Sequence, residues 1–405
     1  MSSTQEPISE AVETSSSSSG LESLSPEILL TIIKQLQELI SLDSLIRASP
    51  SSFRVFSSYG VEITDAILDS GYIQRHIRTM IRVTAIIRTS KLPMDNVWDF
   101  LKRTTFPAMR ERMRLLKCYM SPPYLEADTP PAILRGILAS NRHIANLSLD
   151  FLNVHLERFR ALRPRRLDDE SQIPAGTETP APRYLTQNVK MEQYDVQDIG
   201  PPNWKEEQRV IRLFWRIQML YDMKRAGANG LLKWPAKELD YLNEMSLREF
   251  YRATKTGSWH STQAHPEYYL MTSVEEYLME VYPSADLWDI SNMAWLVPPH
   301  PIKEVQKEGR ILIPENLLYT SKPHGWHPLI SASTVTSFWY SEMRWIEGEV
   351  PFEAFGKWGF AFWCKARLRG YGLLPDTLKP LQHGAVDYRP YTYRWLSLLD
   401  DQDST

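Results

Sequence analysis

The sequence predicts a mainly α protein: a three-helix module near the N-terminus, then an irregular multi-helical body whose C-terminal half is rich in tryptophan. Three observations lead there. Apolar residues recur at three- and four-residue spacing from Ile28 to Leu156, the pattern of amphipathic helices. Helix-starting residues stand ahead of such runs, as at Ser25-Pro26 and Asn203, and Gly71, Gly227 and Gly230 stand behind them. Of 13 tryptophans, all but Trp98 lie in the second half.

Residues 1–20 form a polar, Ser-rich stretch that includes an unbroken run from Ser15 to Ser19. It carries too little apolar surface to offset the entropy of ordering and is expected to be disordered. Organised chain begins at residues 21–58. Ser25 is placed to cap a helix, Pro26 suits its first position, and Glu27 favours the positive helix N-terminus. Ile28, Leu29, Ile32, Ile33 and Leu36 follow at helical spacing and make a wide apolar face. Leu42, Leu45 and Ile46 mark a second short helix that Pro50 discourages from continuing, with Phe53, Val55 and Phe56 beyond it.

This segment resembles an F-box, the adaptor-binding motif of SCF-type (Skp–cullin–F-box) ubiquitin ligases. The pattern reads Leu24-x-Pro26-Glu27-Ile28, then Ile32, Leu36, Leu42, Leu45, Ser49 and Phe53. Two features depart from the family: Ser25 separates Leu24 from Pro26, and Phe53 stands where Trp is common. The run Leu45-Ile46-Arg47-Ala48-Ser49-Pro50 is similar to one in fungal F-box-like proteins. The resemblance implies that Leu24, Pro26, Ile28, Leu29, Ile32, Leu36, Leu42 and Leu45 dock on a Skp-type adaptor, and through it on a cullin scaffold. The rest of the chain would hold a protein substrate. Periodicity alone favours three short helices that merely cap a helical domain.

Residues 59–162 read as consecutive short helices. The apolar positions of 61–68 mark one and Gly71 breaks it; Ile73 to Ile86 mark a longer one, with Arg75, Arg78, Arg82 and Arg88 expected on a solvated face. Residues 97–101 and 109–120 give two more, Pro131 opens the next, and Asn141 is placed to cap another. Residues 163–202, with six prolines and the acidic run Asp168-Asp169-Glu170, are expected to be a linker or surface loop; Arg163, Arg165 and Arg166 face solvent there.

Residues 203–396 are expected to form a mostly helical, Trp-rich domain. Asn203 and Glu206 have capping-box spacing, and Val210 to Tyr221 continue that helix. Further helices are expected at 239–250 and 274–281, and a brief strand at 311–313. Each tryptophan needs a partner for its indole N–H, so an aromatic core is expected. The run Trp358-Gly359-Phe360-Ala361-Phe362-Trp363 resembles a C-terminal stretch of some fungal F-box-like proteins. Residues 397–405 read as an acidic tail.

Composition narrows the function. A hydrophobic fraction of 43% supports a sizeable core, and a net charge of −3 gives no pull toward nucleic acid. Cys118 and Cys364 lack metal-ligand spacing and fit a reducing compartment, the cytosol or nucleus. No apolar run follows basic residues at the start, and none is long enough to span a membrane. His324 with His327, and His260 with His265, are pairs, but zinc needs three or four arranged ligands. The acidic pairs Glu206-Glu207 and Glu275-Glu276 are expected on exposed helix faces. No phosphate loop or nucleophile elbow occurs. The F-box resemblance implies a non-enzymatic substrate-recognition subunit without cofactor. The rivals are a metal-dependent or hydrolase-like enzyme using His324 and His327, and an F-box protein acting outside any ligase.

Overall fold

A computed structural model describes residues 20–104, 120, 122–169, 190–247, 249–250, 266–282, 350, 352–375 and 389–400. These are mainly helical, as expected. The Ser-rich tail, the helix expected at 109–120 save Met120, the strand at 311–313, and His260, His265, His300, His324 and His327 lie outside the described residues, as do Trp288, Trp295, Trp326, Trp339 and Trp345.

A 3-10 turn, Leu21–Ser23, precedes α1 (Pro26–Lys34) and α2 (Leu39–Ala48). Pro26 takes the first position of α1, where its missing N–H removes no bond, and Ser25 is the N-cap residue, although its hydroxyl makes no bond to the helix amides. Helix α3 (Pro50–Leu68) explains two residues of the motif at once. Ser49 is its N-cap and accepts from the Ser52 amide at 3.1 Å, while Pro50 opens it. Glu22 completes the cap, accepting from the Ser49 hydroxyl and, at 3.1 Å, from the Ser51 amide. Those bonds hold the Glu22 carboxyl below its ordinary pKa.

The stretch 61–68, expected as a separate helix, follows a kink at Tyr59 (φ −122°, ψ 23°) that divides α3 into two helical segments. Gly60 permits a close crossing there, since a Cβ on it would stand 2.8 Å from Leu134 Cδ1.

Next come α4 (Arg75–Arg88), α5 (Val97–Thr104) and α6 (Pro131–Arg160). Asn141 starts nothing: α6 runs 30 residues through it, because the apolar stripe Leu134, Ile137, Leu138, Ile144, Leu147 and Phe151 is continuous. The arginines of α4 are not all on a solvated face. Arg82 is buried against Asp65 (2.9 and 3.0 Å) and Asp69 (2.9 Å), and Arg88 makes a two-point pair with Asp222 at 2.9 and 3.0 Å.

Within the segment expected to be a linker, strands β1 (Arg165–Leu167) and β2 (Met191–Gln193) pair antiparallel, Arg166 opposite Glu192. Three-residue strands are too short to show a period. Residues beyond β2 are anchored too: the Tyr194 hydroxyl donates to the Tyr371 carbonyl at 2.7 Å, and the Gln197 amide to Gly370 at 2.7 Å.

The second half contains α7 (Trp204–Ala228), α8 (Ala236–Glu244), α9 (Pro266–Val281), a 3-10 helix (Phe352–Trp358), α10 (Lys365–Gly370) and α11 (Arg389–Asp400). The capping box of α7 forms as expected, with Asn203 accepting from the Lys205 and Glu206 amides and Glu206 accepting from the Asn203 amide. Helix α8 starts earlier and ends sooner than 239–250, and α9 extends well ahead of 274. Residues 397–400, expected in the acidic tail, instead continue α11, where Ser397 and Leu398 are buried and the Ser397 hydroxyl accepts from the Arg165 amide of β1.

One buried apolar cluster runs through both halves of the chain. Its aromatic centre joins Phe151 and Phe159 of α6 to Phe362, Trp363 and Phe360. Four indole N–H groups find carbonyls: Trp204 donates to Tyr72, Trp234 to Met94, Trp363 to Trp358 and Trp395 to Leu373, whereas the Nε1 of buried Trp215 finds none among the described residues. Gly359 (φ +78°) makes the turn before Phe360, and a Cβ there would lie 2.4 Å from Phe362 Cζ.

Candidate interaction surface

Helix α1 presents two faces because its apolar residues occupy two adjacent rows. Leu29 and Ile33, four apart, are 1% and 0% exposed and pack α1 into the core beside α3. Ile28 and Ile32, also four apart, are 51% and 40% exposed. A helix turns about 100° per residue, so one row faces inward while its neighbour faces out. Pro26 and Glu27 lie exposed at the start of the outward row.

The eight residues implied by the motif therefore divide. Pro26, Ile28 and Ile32 are exposed; Leu24, Leu36 and Leu45 are half-buried against the core. Leu29 and Leu42 are sealed inside this chain and are not available to a partner, which corrects their expected role. They complete the packing of α1 and α2 on α3, a task the motif's spacing does not distinguish from partner contact. Phe53 stays 40% exposed, and Leu21 38%; the Arg135 guanidinium lies 5.4 Å from the Phe53 ring centroid.

The surface is rigidly mounted. Lys34 of α1 pairs with Glu62 of α3 at 2.7 Å, and Asp43 of α2 accepts from Arg142 of α6 at 2.6 Å. Glu27, on the outward side, has its carboxyl pKa held below the ordinary value by its own backbone amide and by Ser25. The ridge thus offers branched aliphatic side chains beside a carboxylate, and its chemistry is that of contact, not of proton or group transfer.

Sequence reasoning misplaced the first member of each acidic pair, while Glu207 is half-buried and Glu276 is exposed as expected. Glu206 is fully buried and pairs with the equally buried Arg367, at 3.0 and 3.1 Å. Arg367 also donates to the Gly200 and Pro201 carbonyls and stacks 4.8 Å from the Trp363 ring centroid. Glu206 accepts in addition from the Cys364 amide at 2.9 Å. Every polar group of the pair is answered, which suits a structural clamp. Glu275 is buried as well. Burial and Glu206 both push the Cys364 thiol pKa up. Among the described residues, no three His, Cys, Asp or Glu side chains gather as metal ligands, and no helix is long and apolar enough to cross a membrane.

A scan against protein-family models found no match, and searches of curated proteins and of solved structures found none.

Proposed function

We propose that this chain is the substrate-recognition subunit of an SCF-type ubiquitin ligase, docking on a Skp-type adaptor through the outward row of α1 and holding a protein substrate with its body. The observation that carries the reading is the exposed pair Ile28 and Ile32 on an otherwise well-packed helix, at the positions where the F-box pattern has its contact residues. Large aliphatic side chains left in water beside a closed core favour a protein surface that covers them. On this reading the chain supplies no catalytic residue and no cofactor, the cullin scaffold follows through the adaptor, and the complex works in the cytosol or nucleus.

Magnitudes limit what the ridge does alone. Fully burying an isoleucine is worth roughly 1.5–3 kcal/mol, so completing the burial of two half-exposed ones adds about 2 kcal/mol. Micromolar affinity requires about 8 kcal/mol. Ile28 and Ile32 are then anchors in a larger patch to which Pro26 and the half-buried Leu24, Leu36 and Leu45 contribute area.

Capture of purified Skp-type adaptor by the wild-type chain, and loss of capture by the double variant Ile28→Asp, Ile32→Asp, is the test. Equal capture by both would refute the assignment. Reconstituted ubiquitin transfer with the cullin scaffold then separates a ligase subunit from an F-box protein acting alone.

A further inference from the structure

Helices α6 and α7 lie antiparallel. Phe151 meets Phe214 at one end, with ring centroids 6.3 Å apart, and Arg88 bridges Ser140 (2.8 Å) and Asp222 farther along. Around that bridge and to either side of it the helices line a groove of about 700 Å³, inside the range of roughly 300–1,000 Å³ usual for ligand sites. Ala132, Gly136, Ala139 and Ala226 keep it open, since none carries a side chain long enough to fill it.

The polar lining is unfinished. Of three arginines in the wall, Arg88 is paired with Asp222 and Arg142 with Asp43, whereas Arg225 is exposed and has no ion pair among the described residues. The side-chain amides of Asn146 and Asn229 make no hydrogen bond there either. His143 Nε2 is buried without a partner; burial, then the charge of Arg142, lowers the imidazole pKa and keeps the ring neutral. Asn146 is half-buried and His143 Nε2 buried, and polar groups so placed are costly without a partner, whereas Arg225 and Asn229 stand exposed to water. Beside them stand apolar Ile133 and Leu231, the latter 39% exposed.

We propose that this groove binds a short acidic peptide segment of a partner protein. One carboxylate meets Arg225, an aliphatic residue covers Ile133 and Leu231, and the peptide amides pair with Asn146 and Asn229. A single uncompensated guanidinium matches one carboxylate. Two carboxamides, one on α6 and one just past the end of α7, each both donor and acceptor, suit an extended backbone. The proposal rests on the receptor reading only for the partner's identity as the protein presented to the ligase.

Panning a display library of random linear peptides against the full chain tests it. Enriched peptides are expected to carry Asp or Glu near an aliphatic residue. Arg225→Glu is expected to weaken them at least about tenfold, as is Ala139→Trp, which fills the groove from an exposed position. Changing the peptide acid to Lys should restore binding to Arg225→Glu. No enrichment, enrichment without acidic residues, or undiminished binding by both variants overturns the proposal. So does stabilisation by succinate without peptide enrichment, which would assign the groove to a small organic acid. Adaptor capture by the wild-type chain is measured in parallel. Peptide binding without capture sinks the receptor reading alone; capture without peptide binding sinks the groove alone.

Discussion

Arg142 of α6 donates to Asp43 of α2 at 2.6 Å, and this bond fixes the N-terminal helices to the long helix that also walls the groove. Asp43 is 4% exposed, and its second cation, Arg47 on its own helix, stands off at 3.4 Å. Arg142→Ala leaves the buried carboxylate with that weaker partner. Urea denaturation is expected to show a loss of about 1–3 kcal/mol. An unchanged midpoint would mean that Arg47 or water takes over.

The Glu206–Arg367 pair predicts an asymmetry. Arg367→Ala strands a desolvated carboxylate and is expected to cost about 3–5 kcal/mol, whereas replacing both partners by Leu and Met recovers most of the loss. A double variant no more stable than the single one would show that the bonds to Gly200, Pro201 and Cys364 matter more than the charges.

Adjacent residues of α1 should behave oppositely. Ile28→Asp, at an exposed site, is expected to change stability by no more than about 0.5 kcal/mol while abolishing adaptor capture. Leu29→Ala opens a cavity in the core and is expected to cost about 2–5 kcal/mol. Denaturation midpoints and capture assays on the two variants check this, and a destabilised Ile28→Asp would place that side chain inside.

Among the histidines, His155 sets a pH dependence. Its Nδ1 lies 2.8 Å from the Phe151 carbonyl, which only accepts, so Nδ1 carries the proton. Burial lowers its pKa to about 3, against 6.5 for the free group. Between those values the unfolded chain binds the extra proton and the folded chain does not, so stability falls as pH drops through the window. A pH series of denaturation curves is expected to show a steeper decline for wild type than for His155→Phe. Parallel curves would contradict the neutral buried imidazole.

What the sequence made legible was local. Pro26 at the start of α1 and the Asn203–Glu206 box are decided within a few residues, and both formed as read. Glu206 looked like a surface acid because its partner, Arg367, is 161 positions away. The arginines of α4 looked solvated for the same reason, since Asp222 reaches Arg88 from α7. At the C-terminus, Asp400, Asp401 and Asp403 dominated the composition and hid Ser397 and Leu398, which are buried in α11, Ser397 against β1 and Leu398 in the main core. Spacing revealed that α1 was apolar on a wide arc. Only packing decided which half of that arc turned to solvent.

Helix α3 begins with the Ser49 cap among the N-terminal helices and ends with Asp65 and Asp69 clasping Arg82 of the body. It bends at Tyr59 without ending there, and the core that buries Leu29, Leu42 and Phe56 continues past the bend to Ile63 and Ile67, so the first three helices share it with the body. They are not a portable cassette: recombination that shuffled residues 21–58 into another gene would carry off half a helix and the greasy underside of its neighbours. Substitutions in these helices and in the body thus meet in one core, and a change of packing on either side is felt by the other.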